Sequence, residues 1–211
     1  MKTRKPPSAF TSVELLLILA ILVILSALFL PALTRRPPRA QGIKCINNLK
    51  NIGLAFRIFA TDNNDQYPGG ILLSNGMAPA QIGILQIYRT LSNELSTPKL
   101  LICPADEKRK PADSFTNLQT KNLSYFVSLS ADEAEPQNLL SGDRNLQTNN
   151  VSIPPGLFAL TLGTPISFSS ELHNGEGNIA MADGSVQLLS AVRVSLSATN
   201  SAIATNLIVI P

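Results

Sequence analysis

The chain has 211 residues, enough for one domain with a sizeable core beyond any N-terminal targeting segment. Its net charge of +3 rests on residues 1–9, which hold Lys2, Arg4 and Lys5 and no acid. The remainder carries 14 Lys/Arg and 14 Asp/Glu, so the sequence pI of about 9.0 gives no ground for a nucleic-acid partner.

The basic leader runs into Ala9-Phe10-Thr11-Ser12-Val13-Glu14, and then Leu15 to Leu33 follow without a charge. A helix over those residues rises roughly 28 Å, close to the hydrocarbon thickness of a bilayer. An ordinary secretory signal has a shorter apolar region followed by its cleavage site. Phe10-Thr11-Ser12-Val13-Glu14 after a short basic leader instead resembles the N-terminal signal of type IV pilins and of the pseudopilins of type II secretion. The resemblance implies cleavage by a prepilin peptidase between Ala9 and Phe10 and N-methylation of Phe10. It also implies an assembly role for Glu14, paired with the Phe10 ammonium of a neighbouring subunit. Ala9 stands where the family has Gly, and Pro31 falls on a proline the family often carries. Flanking charge is nearly even, with Arg35, Arg36, Arg39, Lys44 and Lys50 beyond the run. Orientation therefore follows from the resemblance: leader in the cytoplasm, a single pass through the inner membrane, C-terminal bulk in the periplasm.

Arg35-Arg36-Pro37-Pro38 interrupts the helical pattern, because proline lacks an N–H and disfavours helix in the residue before it. A kink is expected there, with Pro37 and Pro38 opening a new helix. From Arg39 to about Ala60, Gly42, Cys45, Leu49, Ile52, Phe56 and Phe59 recur at spacings of three and four. This amphipathic stem helix is expected to pack on its own domain's sheet. The division is a leader over 1–9, a transmembrane helix over 10–36, a stem helix over 37–61 and a globular β-rich region over 62–211.

Asp62-Asn63-Asn64-Asp65 offers oxygen ligands of the kind calcium takes, but lacks the glycine and closing glutamate of an EF-hand loop. A polar helix-ending loop fits better, and no other metal or cofactor is indicated. Pro68-Gly69-Gly70 reads as a turn, and a helix is expected near Ala80–Leu91. The segments 98–104, 123–129 and 157–160 read as extended or strand, as does the C-terminal 206–211. Cys45 and Cys103 are an even pair in a chain expected to face an oxidising space. They form either a disulfide joining stem to domain or two buried thiols; neither has a second Cys or a His at metal-ligand spacing.

The densest pattern after the signal is His173-Asn174-Gly175-Glu176-Gly177, then Asn178 to Ala182, Asp183-Gly184 and Val186 to Leu189. It reads as a β-hairpin whose tight turn is Asp183-Gly184. His173 followed by nine residues and Asp-Gly resembles a secretion-protein-G-like pilin subgroup of Planctomycetes and Verrucomicrobia, as do Cys45 to Ala55 and Leu101 to Asp106. His173 with Glu176 or Asp183 would suit a periplasmic hydrolase, but the chain has no nucleophile motif or phosphate loop, so a structural histidine is favoured. The fold expected is α+β in the pilin manner: a long N-terminal helix, transmembrane then amphipathic, kinked near Pro37-Pro38 and packed on a small antiparallel sheet. The function expected is a non-enzymatic filament subunit, with other pilin subunits, the assembly platform and membrane lipid as partners. The alternative is a membrane-anchored binding module that does not polymerise.

Overall fold

The computed structural model describes residues 11–34, 38–161, 164–193 and 205–211. The chain divides into two units, Met1–Pro37 and Pro38–Pro211. In the first, one helix runs over Ser12–Thr34 (α1). Among the described residues no helix is long and apolar enough to cross a membrane, which overturns the transmembrane first helix expected over 10–36. The expected kink involves residues 35–37, and the cleavage site Ala9-Phe10 lies before residue 11; both fall outside the described residues.

The second unit opens with α2 over Pro38–Asp62. The stripe Cys45, Leu49, Ile52 and Phe56 is buried to 1% exposure or less, with Ala60 continuing it. Burying each of the larger side chains contributes about 1.5–3 kcal/mol. Asn64 and Asp65 both take left-handed backbone just after the helix, and the Asp65 N–H donates to Ala60 O. Short polar side chains tolerate that conformation, so the Asp62–Asp65 segment terminates the helix. Pro68 occupies the opening of a further helix, Pro68–Ser74 (α3), rather than a turn. A fourth helix, α4, covers Ile84–Thr90. Pro98–Leu101, expected to be extended, forms a 3₁₀ turn in which the Thr97 hydroxyl accepts from the Lys99 N–H.

Among the described residues ten strands follow: β1 Tyr125–Ser128, β2 Leu139–Asp143, β3 Leu146–Thr148, β4 Val151–Ser152, β5 Gly156–Thr161, β6 Pro165–Phe168, β7 Gly177–Met181, β8 Val186–Leu189, β9 Ala191–Arg193 and β10 Thr205–Ile210. They make two antiparallel sheets, not the one small sheet expected. The larger has the order β5-β10-β1-β2-β7-β8 and the smaller β4-β3-β6-β9.

The second sheet changes the character of the first. Tyr125, Val127, Leu140, Ala180 and Val209 join the core under α2. Their strand neighbours Phe126, Leu139, Ile179, Ile208 and Ile210 join a second core with Leu146, Ile166 and Phe168 of the smaller sheet. Alternation along each strand thus feeds two cores, and the unit has three layers: helix, six-stranded sheet, four-stranded sheet. Every residue of β1 and β2 is buried as a result. A glycine is required in the middle of this stack. A Cβ at Gly142 would stand 2.7 Å from the Phe126 ring and 2.8 Å from Asn178 O, closer than side chains pack.

Candidate functional site

The His173 hairpin lies along α2 and is fastened near both ends. At the far end, the Asp183 carboxylate accepts from the Ser185 N–H at 2.8 Å, and Gly184 takes φ +83°, which a side chain would resist. The turn approaches α2 closely, since a Cβ on Gly53 would be 3.7 Å from Gly184 Cα. Behind it, the Tyr67 hydroxyl donates to Ala182 O at 3.1 Å.

At the near end, His173, Asn174 and Gly175 all have positive φ, at 49°, 55° and 89°. Three left-handed residues in succession turn the chain sharply and carry the imidazole inward. Cys45 and Cys103 are joined as a disulfide, and Cys103 Sγ lies 3.2 Å from His173 Nε2. The Asn178 side-chain amide serves two neighbours, donating to Asp143 Oδ2 at 2.8 Å and standing 3.2 Å from His173 Nε2. The Asn178 backbone N–H also donates to Asp143 Oδ2, at 2.7 Å. Asp143 Oδ2 is 3.4 Å from His173 Nε2, while Oδ1 is buried without a hydrogen-bond partner.

The electrostatics follow from this burial. Loss of solvent pushes the Asp143 carboxyl up to about 7, although the two Asn178 donors pull the other way. Burial lowers the His173 pKa, with Glu176 opposing. The site at neutral pH is therefore an uncharged imidazole beside a carboxyl close to its midpoint.

Asp143 was not legible as a partner of His173. The only signal was an acid ending an otherwise apolar strand, Leu139-Leu140-Ser141-Gly142-Asp143. Asp183, ten residues along, is occupied in its own turn. Among the described residues, the cluster that could hold a metal ion is Cys45, Cys103 and His173, with neither Asp62 nor Asp65 in it. Two grooves meet at His173 and Asn174. One, of about 430 Å³, is lined by Ile43, Ile46 and Leu188; the other, of about 320 Å³, by Asp106, Lys108 and Glu171.

The second groove borders a charge network. The Arg144 guanidinium holds Asp106 through Nε at 2.8 Å and Nη2 at 3.0 Å, and Glu171 through Nη2 at 2.8 Å and Nη1 at 3.2 Å. Lys108 Nζ adds a 2.9 Å contact to Glu171, and this pairing with Arg144 and Lys108 brings the Glu171 carboxyl down to about 2. Ser124 donates to Asp106 at 2.9 Å.

In the first unit, Thr11 and Glu14 close reciprocally. The Thr11 N–H and hydroxyl donate to Glu14 Oε2 at 2.9 and 2.8 Å, and the Glu14 N–H donates to Thr11 Oγ1 at 3.3 Å. This is a capping box of the Thr-x-x-Glu pattern. Glu14 therefore has a local reason to be where it is.

No protein-family model matches the chain, and no curated protein or solved structure matches it.

Proposed function

We propose that the chain is a subunit of a pilin-type or pseudopilin-type filament outside the cytoplasm. On this reading a prepilin peptidase removes residues 1–9, Phe10 becomes the first residue, and the assembly platform and other subunits are the partners. The observation that carries it is α1: Val13, Leu16, Leu19, Leu22, Val23 and Ile24 are all more than half exposed. A helix apolar all round needs to be covered, and copies of itself in a filament core would cover it. Glu14, the only acid in that stretch, would meet the Phe10 ammonium of a neighbour there, since a buried charge is tolerable when paired. The Cys45–Cys103 disulfide is in keeping with an oxidising compartment.

The capping box sharpens the test. Glu14→Gln keeps a capping group at that position but removes the charge. The expected result is normal accumulation of subunit, an N-methylated Phe10 by mass spectrometry, and little filament. Normal filament yield from Glu14→Gln, or a wild-type chain starting at another residue, defeats the reading. The two grooves at His173 favour a second reading, a displayed binding module that does not polymerise, for which an uncut N-terminus is the discriminating observation.

A further inference from the structure

The edges of the two sheets are not guarded alike. Among the described residues, β4 has two residues, β9 three and β8 four, while β5, at one end of the larger sheet, has six. Short length protects an edge from unwanted pairing, and so do charged side chains and proline. Gly156-Leu157-Phe158-Ala159-Leu160-Thr161 has no charge and no proline. All six residues pair with β10 on one side, and among the described residues no strand pairs with β5 on the other. The backbone N–H and C=O groups on that open side are a template for one more strand.

A groove of about 580 Å³ lies at the Gly156 end of this edge. Its apolar lining includes Leu157, which is 40% exposed, with Ile82, Ile84 and Ile210. Its charged lining residues are Arg109 and Lys121, with no acid among them. Lys121 is exposed and makes no ion pair among the described residues. The Arg109 guanidinium is held in place by donating to the carbonyls of Thr120, Leu123 and Pro211. Asp106 stands 3.9 Å from its Nε, but that acid is already clamped by Arg144. Positive charge therefore remains at the groove. Strand direction joins this charge to the open edge. An antiparallel strand ends where its partner begins, so a strand added antiparallel to β5 finishes beside Gly156. Its terminal carboxylate would there face two cations, whereas a parallel strand would bring them its ammonium.

We propose that β5 and this groove dock the extended C-terminal tail of a partner protein. The tail adds antiparallel to β5, its last apolar side chain enters the groove, and its carboxylate meets Arg109 and Lys121. Main-chain hydrogen bonds along the edge supply affinity, while the groove and its cations select a free chain end. The volume and apolar lining suit such a side chain. The site uses none of the residues around His173 and stands independently of the filament reading.

The test uses the full chain in detergent micelles and a fluorescein-labelled peptide, Thr-Val-Thr-Val-Thr-Val with a free carboxylate, followed by fluorescence polarisation. Saturable binding is expected. Amidation of the peptide's C-terminus should weaken it at least about tenfold, the loss of a charge-assisted hydrogen bond. Lys121→Glu, at an exposed position, should weaken it at least about threefold. A strand turns every second N–H toward its neighbour, so N-methylating one alternate set of peptide residues should abolish binding and methylating the other should leave it within about threefold. No saturable binding up to millimolar peptide, equal affinity for acid and amide, unchanged affinity in Lys121→Glu, or equal loss from both methylated sets each overturns the proposal.

Discussion

Arg144→Gln removes one guanidinium that serves two acids, and the structure separates their worth. The Asp106 side chain is 1% exposed and that of Arg144 12%, so their two-pronged contact is nearly dry. Glu171 is 27% exposed on its side chain. Breaking a buried pair by deleting one partner costs about 3–5 kcal/mol, because the remaining charge stays buried without compensation. A partly solvated pair contributes about 0–1 kcal/mol. Nearly all of the loss should therefore come from stranding Asp106, with only Ser124 and a 3.9 Å approach of Arg109 left to it. Urea unfolding followed by circular dichroism should show the midpoint falling by roughly 1–5 M at the slope of about 1–3 kcal/mol per M expected for a small protein. The double variant Asp106→Asn/Arg144→Gln should lose clearly less than Arg144→Gln alone, since no bare carboxylate remains. A single-variant loss below about 1 kcal/mol, or a double-variant loss equal to the sum of the singles, would refute this account of the network.

Cys45→Ala/Cys103→Ala releases a loop of sequence separation 58, which chain entropy values at about 4 kcal/mol. A measured loss of about 2–4 kcal/mol is expected, and one below 1 kcal/mol would contradict the chain-entropy argument. Asp143 holds its proton to about pH 7 when folded, against an ordinary value of 3.8, so its contribution to stability falls as pH rises from about 4 to about 7. His173 is shifted below 6.5, and its contribution falls as pH drops below that value. Asp143→Asn should flatten the decline toward pH 7 in urea midpoints, and an unchanged slope would remove Asp143 as its source. Gly142→Ala forces a methyl against Asn178 O and the Phe126 ring, and should cost about 1–3 kcal/mol or more by urea midpoint. A neutral result would mean that the strands part more readily than their packing suggests.

The local elements were legible where period and turn chemistry agree. The apolar stripe of α2 faces a core, and Asp183-Gly184 turns β7 into β8 at the residues the pattern marks. What escaped were properties that depend on distant chain. The strand of residues 125–128 reads like any half-buried strand, yet it is buried throughout because Leu146 of β3 and Ile166 and Phe168 of β6 share a core with its second face. Residues 98–104 look extended by composition, but Thr97 and Pro98 start a 3₁₀ turn over Pro98–Leu101, and Ile102 is extended after it. The acid beside His173 comes from β2, 30 residues away in sequence, and nothing local distinguishes it from a strand-ending acid. Glu14 has a local role legible in its Thr-x-x-Glu spacing from Thr11, apart from the remote one that the pilin resemblance implies.

The spacing between His173 and Asp183 is better understood as a length than as a pair of reactive groups. Five residues of strand cover about 17 Å, and the twelve-residue step from Cys45 to Arg57 along α2 rises about 18 Å. Strand β7 thus nearly matches the helix segment it crosses. At one end His173 lies against the disulfide that holds α2 to the loop of Cys103; at the other, Gly184 lies near Gly53 and the Arg57 side chain. Each end uses left-handed backbone to leave the strand sharply, at His173 to Gly175 and again at Gly184. A shorter or longer separation would move one fastening off its partner, and a change of one residue would also turn the strand's faces over. That requirement accounts for the distance between this histidine and its Asp-Gly turn through the two fastenings alone. The polar contacts of the histidine run instead to the Cys103 sulfur and the Asp143 carboxyl, which its own hairpin does not supply.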